Sequence, residues 1–288
     1  MGKKGKKAQA GKPKKLTPKD VGKRLNTLAK NLEEELNGAD LFAPLPPTED
    51  CAICLVPLTR VLSETLYKPC CGNEVCKACY MENNEAINKQ NEKKSAGKKV
   101  AFTCPFCREP KPTPDKEMAL LQARCLKNDH KAFKVLGGRY RDGKCGVPKD
   151  DLKALDCYIR AVELGSPTAC GSIGNRYYRG NGVAIDEERA ALFNRVGALR
   201  GDMMARHNVG YFEYYDFGNH EIAIRHWKIA AEAGYQDSLD ALKKIYNGNE
   251  AGKEFIVKEY LESTYRACHE AQMEVKSEER EKHSDRKG

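Results

Sequence analysis

Eight cysteines lie between residues 51 and 107 of this 288-residue chain, at spacings that suit metal binding. A Cys-x2-Cys pair lets one tight turn direct two thiolates at one ion, at about 2.3 Å each, and zinc takes four such ligands in a tetrahedron. Four pairs therefore predict two zinc ions. The predicted ligands are Cys51, Cys54, Cys70, Cys71, Cys76, Cys79, Cys104 and Cys107.

The residue types around these cysteines support metal binding over the alternative of buried free thiols. No histidine lies between residues 51 and 107, so two closed sites need every cysteine, including the adjacent Cys70 and Cys71. The segment has few large apolar side chains, and so small a domain usually needs a metal to fold. The other five cysteines are scattered, and we interpret them as small apolar residues.

Three motifs carry a family resemblance: CAICL at Cys51, CKAC at Cys76 and CPFCR at Cys104. They resemble the RING family of ubiquitin ligases, in its all-cysteine variant, over about residues 48–112. The resemblance implies a cross-braced order, which spacing alone does not show. In that order the first and third pairs, Cys51, Cys54, Cys76 and Cys79, share one ion. The second and fourth pairs, Cys70, Cys71, Cys104 and Cys107, share the other.

The resemblance also implies how the module would act. RING ligases have no catalytic nucleophile and hold a ubiquitin-charged conjugating enzyme in a reactive pose. By analogy Ile53 and Pro105 would face the conjugating enzyme, and Arg108 would contact both it and ubiquitin, unless it is only a solvated charge. Asn83 departs from the family, which usually has a large apolar residue there. Ile87 would substitute if residues 80–91 are helical.

The rest of the chain divides by composition and periodicity. We predict a basic disordered tail over residues 1–24, and a short helix (25–41) with a proline-rich linker over 25–47. The zinc module spans 48–112. Helical repeats with a C-terminal capping helix span 116–276, and a disordered charged tail spans 277–288.

A period near 36 residues predicts the repeats. Small residues recur at Ala132, Ala169, Ala205 and Ser238, each followed four residues later by an aliphatic residue. A second series contains Gly165, Gly201 and Gly234, which suit left-handed helix ends. Asp150 or Asp151, and Asp186, suit helix starts. Each unit is then an antiparallel helix pair, and stacked pairs form a solenoid.

Segments such as LGGRYRDG (136–143) and WKIAAEAG (227–234) resemble Sel-1-like repeats, relatives of the tetratricopeptide repeats. Such families bind proteins or peptides on a concave face, and Arg139, Arg176, Tyr178 and Tyr211 are candidates for that contact. The alternative is that the tyrosines fill space between helices and the arginines are solvated. In the capping helix we expect Phe255, Ile256, Leu261 and Tyr265 to face inward.

Charge and hydropathy limit the classes of partner and the compartment that the sequence favours. The net charge is +9, and residues 1–24 alone contribute nine Lys and one Arg against one Asp. The tail is therefore typical of a nuclear-import or nucleic-acid-binding segment, or of a segment that only increases solubility. No apolar run is long enough to cross a membrane. With no secretory signal, the cysteines favour metal over disulfides and a cytoplasmic or nuclear protein.

The fold class predicted is mainly α: a small zinc-stabilised RING-like module joined to a helical repeat solenoid, with disordered termini. The first functional hypothesis is a RING-type ubiquitin ligase whose repeats bind a protein substrate. The second is a non-catalytic zinc-containing scaffold for protein interactions. The third, a nucleic-acid-binding zinc protein, relies on the basic tail alone.

Overall fold

The computed structural model describes residues 16–60, 65–92, 94–248 and 251–274. It confirms a mainly α fold that contains helical repeats and a small cysteine module. The predicted tail at 277–288 and residues 1–15 of the predicted N-terminal tail lie outside the described residues. Within the described ranges, no helix is long and apolar enough to cross a membrane.

The first helix, α1, spans Pro18–Leu36 and begins seven residues before its predicted start. Thr17 caps it by accepting a hydrogen bond from the Asp20 N–H, and Pro18 suits the first turn. Residues 18–24 therefore belong to a helix and not to the tail as predicted. Periodicity missed this start because lysines surround Val21, which is nevertheless buried. The helix ends at Leu36, five residues before its predicted bound, with Asn37 as the C-cap and Gly38 at a positive φ.

The described part of the cysteine module contains a two-stranded sheet, one α-helix and a short 3-10 helix, Ala96–Lys98. Strand β1 (Thr65–Lys68) pairs antiparallel with β2 (Asn73–Cys76), with Lys68 opposite Asn73. Helix α2 (Lys77–Glu92) follows directly. Two asparagines of α2 then hold the next segment: Asn83 donates to the Thr103 carbonyl, and Asn91 hydrogen-bonds both the N–H and the carbonyl of Val100.

Helices fill the remainder of the described chain. They are α3 (Pro114–Cys125), α4 (His130–Asp142), α5 (Asp151–Glu163), α6 (Pro167–Arg179), α7 (Glu187–Leu199), α8 (Met203–Tyr211), α9 (His220–Glu232), α10 (Gln236–Asn247) and α11 (Lys258–Glu274). A π-helical turn, Phe212–Asp216, extends α8. Asp150 and Asp186 cap α5 and α7, and Gly165, Gly201 and Gly234 all have φ near +90°. Both predicted signals are confirmed.

The recurrent small residues are the points where helices meet. Ala132, Ala169, Ala205 and Ser238 are all fully buried. A β-carbon on Gly137 would lie 2.7 Å from a ring carbon of Tyr158, and one on Gly210 would lie 2.6 Å from the indole nitrogen of Trp227. Because real β-carbons do not come so close to other atoms, these positions require glycine. The solenoid core thus depends on equivalent close approaches in successive units.

Helix α1 packs across the second helices of two repeats. Its apolar stripe, from Val21 to Leu32, joins the core formed with α5 and α7. Ion pairs reinforce it at both ends: Arg24 with Asp156, and Glu35 with Arg200 at 2.6 Å. The segment that precedes the cysteine module is therefore part of the repeat core.

Helix α11 closes the array at its C-terminal end. Ile256 is buried and Leu261 half-buried, as expected, but Phe255 and Tyr265 are exposed, so those two predictions are wrong. Thr264 and Cys268, one and two turns further along the buried stripe, take the interior positions. The registers differ because Phe255 lies in a short 3-10 turn and not in the helix.

Candidate metal centre

The eight predicted cysteine ligands form two groups of four. The first contains Cys51, Cys54, Cys76 and Cys79, and the second contains Cys70, Cys71, Cys104 and Cys107. Within each group the four sulfur atoms lie within 4.8 Å of one another. The grouping coincides with the cross-braced order that the family resemblance implies.

The sulfur separations test whether a metal fits. Four sulfurs at about 2.3 Å from one ion in a tetrahedron are about 3.8 Å from each other. The Sγ–Sγ distances are 4.0 Å for Cys54 and Cys76, 3.9 Å for Cys71 and Cys104, and 3.5 Å for Cys70 and Cys107. These distances are too long for disulfides, which need about 2.05 Å, and none of the thirteen cysteines forms a disulfide. Each group can hold one metal ion, and four sulfurs are a set that zinc takes.

Two Cys-x2-Cys turns share the same backbone geometry. The residue after each second cysteine, Leu55 or Arg108, has a positive φ near +60°. Each donates its N–H at 3.0 Å to the carbonyl of the first cysteine of its pair, Cys51 or Cys104. Non-glycine residues rarely adopt this conformation. Its recurrence shows that the chain is bent to bring the paired sulfurs together.

Backbone donors point at the sulfurs of the first group. The N–H groups of Ile53 and Cys76 lie 3.5 and 3.3 Å from the Cys51 sulfur, and the Cys79 N–H lies 3.5 Å from the Cys76 sulfur. Hydrogen bonds from Cys76 and Cys79 lower the pKa of Cys51, whereas burial raises the pKa of Cys54 to about 11. Bound zinc would hold all four as thiolates, since metal ligation replaces the protons.

The second group is more open and takes its support from neighbouring elements. Cys104 is buried, but Cys70, Cys71 and Cys107 are half-buried. The adjacent Cys70 and Cys71 belong to the β1–β2 turn. Arg124 of α3 supports that turn by donating to the Cys70 carbonyl at 3.2 Å. The sequence pattern gave no sign of this contact, because 54 residues separate the two partners.

The predicted conjugating-enzyme contacts differ in accessibility. Arg108 is exposed, and Ile53 is half-buried against the module core. Pro105 is buried, so it cannot face a partner as predicted. The two turns instead expose Leu55 and Phe106, which sequence reasoning missed. Phe106 directly follows Pro105, so the turn places the proline inside and the phenylalanine outside.

Asn83 has a structural role that explains its departure from the family pattern. Its side chain donates to the Thr103 carbonyl at 3.1 Å. This bond connects α2 to residues 98–111, the segment that contains Cys104, which we call the arm. Ile87, one turn later on the same helix, is buried and cannot replace a surface apolar residue. The expected substitution by Ile87 is therefore wrong, although α2 is helical as it required.

The module contacts the repeats through polar groups at the start of α4. Lys131 pairs with Glu49 and with Glu74, at 2.9 Å for the latter. The Tyr67 hydroxyl donates to the Asp129 carboxylate at 2.6 Å. Burial lowers the pKa of Lys131, but the two glutamates more than offset this effect and the net pKa is raised. These contacts of Lys131 and Asp129, which we call the charged joint, hold the module against the first repeat.

The candidate contact residues on the repeats fall into two classes. Arg139 is ion-paired with Glu117 at 2.6 Å, and the buried Arg176 with Asp151 at 2.9 Å, so neither is available to a partner. The exposed candidates, Tyr178 and Tyr211, have ring centroids 6.4 Å apart, and Tyr215 lies 4.6 Å beyond Tyr211. We call these three residues the aromatic face. Sequence reasoning missed Tyr215 because the π-helical turn changes the register there.

Fold and site together define an α-helical repeat protein that carries a cysteine module able to hold two metal ions. The Sel1 repeat family model matches residues 135–166, 167–193 and 204–235. These residues therefore carry Sel1 repeats, which are modules for protein interaction. The match does not extend to the cysteine module. A search of curated proteins finds no match.

Two solved structures similar to the chain are also repeat proteins. A Sel1 repeat protein from Oxalobacter formigenes is 28% identical over 55% of this chain and 64% of its own, with a TM-score of 0.48. A protective antigen of uropathogenic Escherichia coli with an SLR fold is 25% identical over 53% of this chain and 33% of its own, with a TM-score of 0.46. The chain thus spans less than two thirds of either protein.

Proposed function

We propose that the chain is a RING-type ubiquitin ligase that holds two zinc ions and acts in a reducing compartment, the cytoplasm or nucleus. The observation that carries this proposal is the interleaved grouping of the eight sulfurs. Sequential pairing would give two consecutive zinc knuckles, whereas interleaving holds the two Cys-x2-Cys turns of Cys51 and Cys104 in one compact module. Zinc supplies folding energy to such a module.

The module would act by positioning and not by covalent catalysis. Ile53, with the exposed Leu55 and Phe106, offers apolar contact to a ubiquitin-charged conjugating enzyme. Arg108 is exposed and forms no ion pair within the described residues, so its planar set of donors is available to bridge enzyme and ubiquitin. Holding the thioester in one reactive pose accelerates transfer to a lysine.

The repeats would select the protein substrate. The aromatic face provides three rings in a row, and exposed tyrosines contribute strongly to protein interfaces because they combine large contact area with a polar group. The charged joint at Lys131 keeps the module at a fixed position relative to α4. The substrate and the charged enzyme would therefore be presented at a constant separation.

The alternative is a non-catalytic scaffold in which zinc only stabilises the fold and both regions bind proteins. Two observations favour it. Asn83 puts a polar side chain where the family has an apolar contact, and it is engaged with Thr103. Pro105 is buried, so another family contact is not accessible.

Autoubiquitination with a panel of conjugating enzymes separates the two functions. We expect activity in the parent and a loss of tenfold or more in Ile53→Ala and Arg108→Ala, because each removes a contact made to the charged enzyme. Arg179→Ala serves as the matched control, since Arg179 is also exposed but lies on the repeats. Zinc content per chain is measured for every variant, with two ions expected.

Each outcome decides the question. Two zinc ions with no ubiquitin transfer across the panel would assign the scaffold function. Equal loss in the Arg179 and Arg108 variants would show that transfer does not depend on the module surface. Chains free of zinc after purification under reducing conditions would exclude both functions.

A further inference from the structure

We infer that the zinc module carries a binding surface for single-stranded nucleic acid, formed by Lys98, Lys99, Phe102 and Lys111. We call these four residues the basic strip. They lie outside the proposed contacts with the conjugating enzyme, and the inference is independent of ubiquitin transfer. It also differs from the hypothesis based on the N-terminal tail, because it places binding on the folded module.

Local charge is the first observation. Residues 89–111 contain seven lysines and arginines and two glutamates, a net charge of +5. Among the described residues, Lys98, Lys99 and Lys111 are exposed and make no ion pair. Many cations of the repeats, by contrast, are paired, including Arg139 and Arg176. Unpaired cations on one short segment suit a polyanion, whose bound counterions they can release.

An exposed aromatic ring is the second observation. Phe102 is 40% exposed although it lies in a rigid arm, so its ring is available for stacking. It borders a cleft of 140 Å³ that is also lined by Tyr80, Lys68 and Lys111. Arg139, Glu109 and Glu117 line it as well, together with Cys70 and Cys104 of the second cysteine group, so the cleft itself has no excess of positive charge and the cations that matter are the exposed lysines of the strip. Bases stack on such rings whatever their sequence.

The rigidity of the arm is the third observation. Asn91 fixes both backbone groups of Val100, and the Lys111 N–H donates to the Phe102 carbonyl at 2.7 Å. Asn83 donates one hydrogen bond to the Thr103 carbonyl. Two asparagines of α2 thus hold a segment that buries little. A preorganised surface loses less conformational entropy on binding.

These observations favour nucleic acid over an acidic protein surface. An acidic protein would be matched by the lysines alone, whereas the combination of unpaired lysines with an exposed ring beside a cleft fits phosphates and bases together. Binding should depend steeply on salt and little on sequence. Duplexes should bind more weakly, because their bases are already stacked on each other.

The test measures the anisotropy of fluorescein-labelled oligouridine and oligodeoxythymidine with the full-length, zinc-loaded chain. Phe102→Ala should weaken binding roughly tenfold, the loss of one stacked base. Lys98→Ala combined with Lys99→Ala should reduce the slope of log affinity against log salt by about 1.4, since each phosphate contact contributes about 0.7 for single strands. The matched control is Lys30→Ala with Lys127→Ala, two exposed lysines outside the zinc module that also make no ion pair among the described residues.

Zinc content confirms that each variant folds. Unchanged affinity in both strip variants would overturn the inference and assign any binding to the lysines of residues 1–24. An equal loss in the control pair would overturn it too, because binding would then follow net charge alone. If Phe102→Ala reduces ubiquitin transfer but leaves nucleic-acid affinity unchanged, the strip belongs to a protein partner and the inference fails.

Discussion

The two regions of this molecule, the cysteine module and the helical repeats, are stabilised by different kinds of interaction. The module around Cys51–Cys107 has few large buried side chains other than its cysteines. The repeats bury whole series of aliphatic and aromatic residues and bring helices together at glycines and alanines. Where apolar burial is scarce, a metal bound by the cysteines would hold the chain, and where it is plentiful, small residues set the helix spacing.

Metal removal is the strongest way to test this contrast. Treatment with a chelator should unfold the module and leave the repeats folded, because structural zinc contributes about 10–16 kcal/mol in small domains. Hydrogen exchange should show rapid exchange over residues 48–112 and continued protection in α5 to α9. If protection is lost equally in both regions, the repeats also depend on the metal and the contrast is wrong.

A neighbouring pair of glycines in α4 tests whether close helix packing stabilises the repeats. Gly137→Ala should destabilise the protein by about 1–3 kcal/mol, because the new β-carbon would lie 2.7 Å from a ring carbon of the buried Tyr158. Gly138→Ala is the control, since it meets no atom within 4 Å. It should stabilise α4 by about 0.5–1 kcal/mol, the usual helix preference for alanine. Urea unfolding measures both.

Equal effects at the two glycines would contradict the close-packing account. The two residues are adjacent in one helix, so helix propensity is the same for both and only the contact with Tyr158 differs. A loss at Gly138 as large as that at Gly137 would mean that backbone flexibility, and not helix spacing, is what the series preserves.

The smallest effect on stability is expected at the charged joint between the module and the repeats. Lys131→Met keeps the aliphatic stem but removes the ion pairs with Glu49 and Glu74, which should cost about 1 kcal/mol or less. Hydrogen exchange near β2 should increase while the core of α7 stays unchanged. Lys153→Met, which removes an exposed pair with Asp150, should change neither. No change in β2 for Lys131→Met would show that Tyr67 and Arg124 hold the joint without it.

The sequence predicted the features that depend on spacing. The Cys-x2-Cys turns, the helix starts at Asp150 and Asp186 and the series of buried small residues follow from local spacing, because each involves residues a few positions apart. The cysteine grouping required the family resemblance as well. These predictions succeeded because turn geometry and helix repeat are local properties.

What failed was decided by contacts between distant segments. Pro105 matches the family motif, yet burial removes it from the surface. Arg139 and Arg176 were candidates for contact with a partner, but in the folded chain they form ion pairs with Glu117 and Asp151. The early start of α1 depends on apolar partners more than 100 residues away. No pattern within a single segment records such pairings.

The docking of α1 on α5 and α7 has a consequence for biosynthesis. Glu35 meets Arg200 across 165 positions of the chain, and Arg24 meets Asp156 across 132. At about 5–20 residues added per second, the apolar stripe of α1 waits roughly 7–33 s during synthesis before its partners emerge. During that interval the apolar face of α1 lacks the partners that cover it in the folded chain.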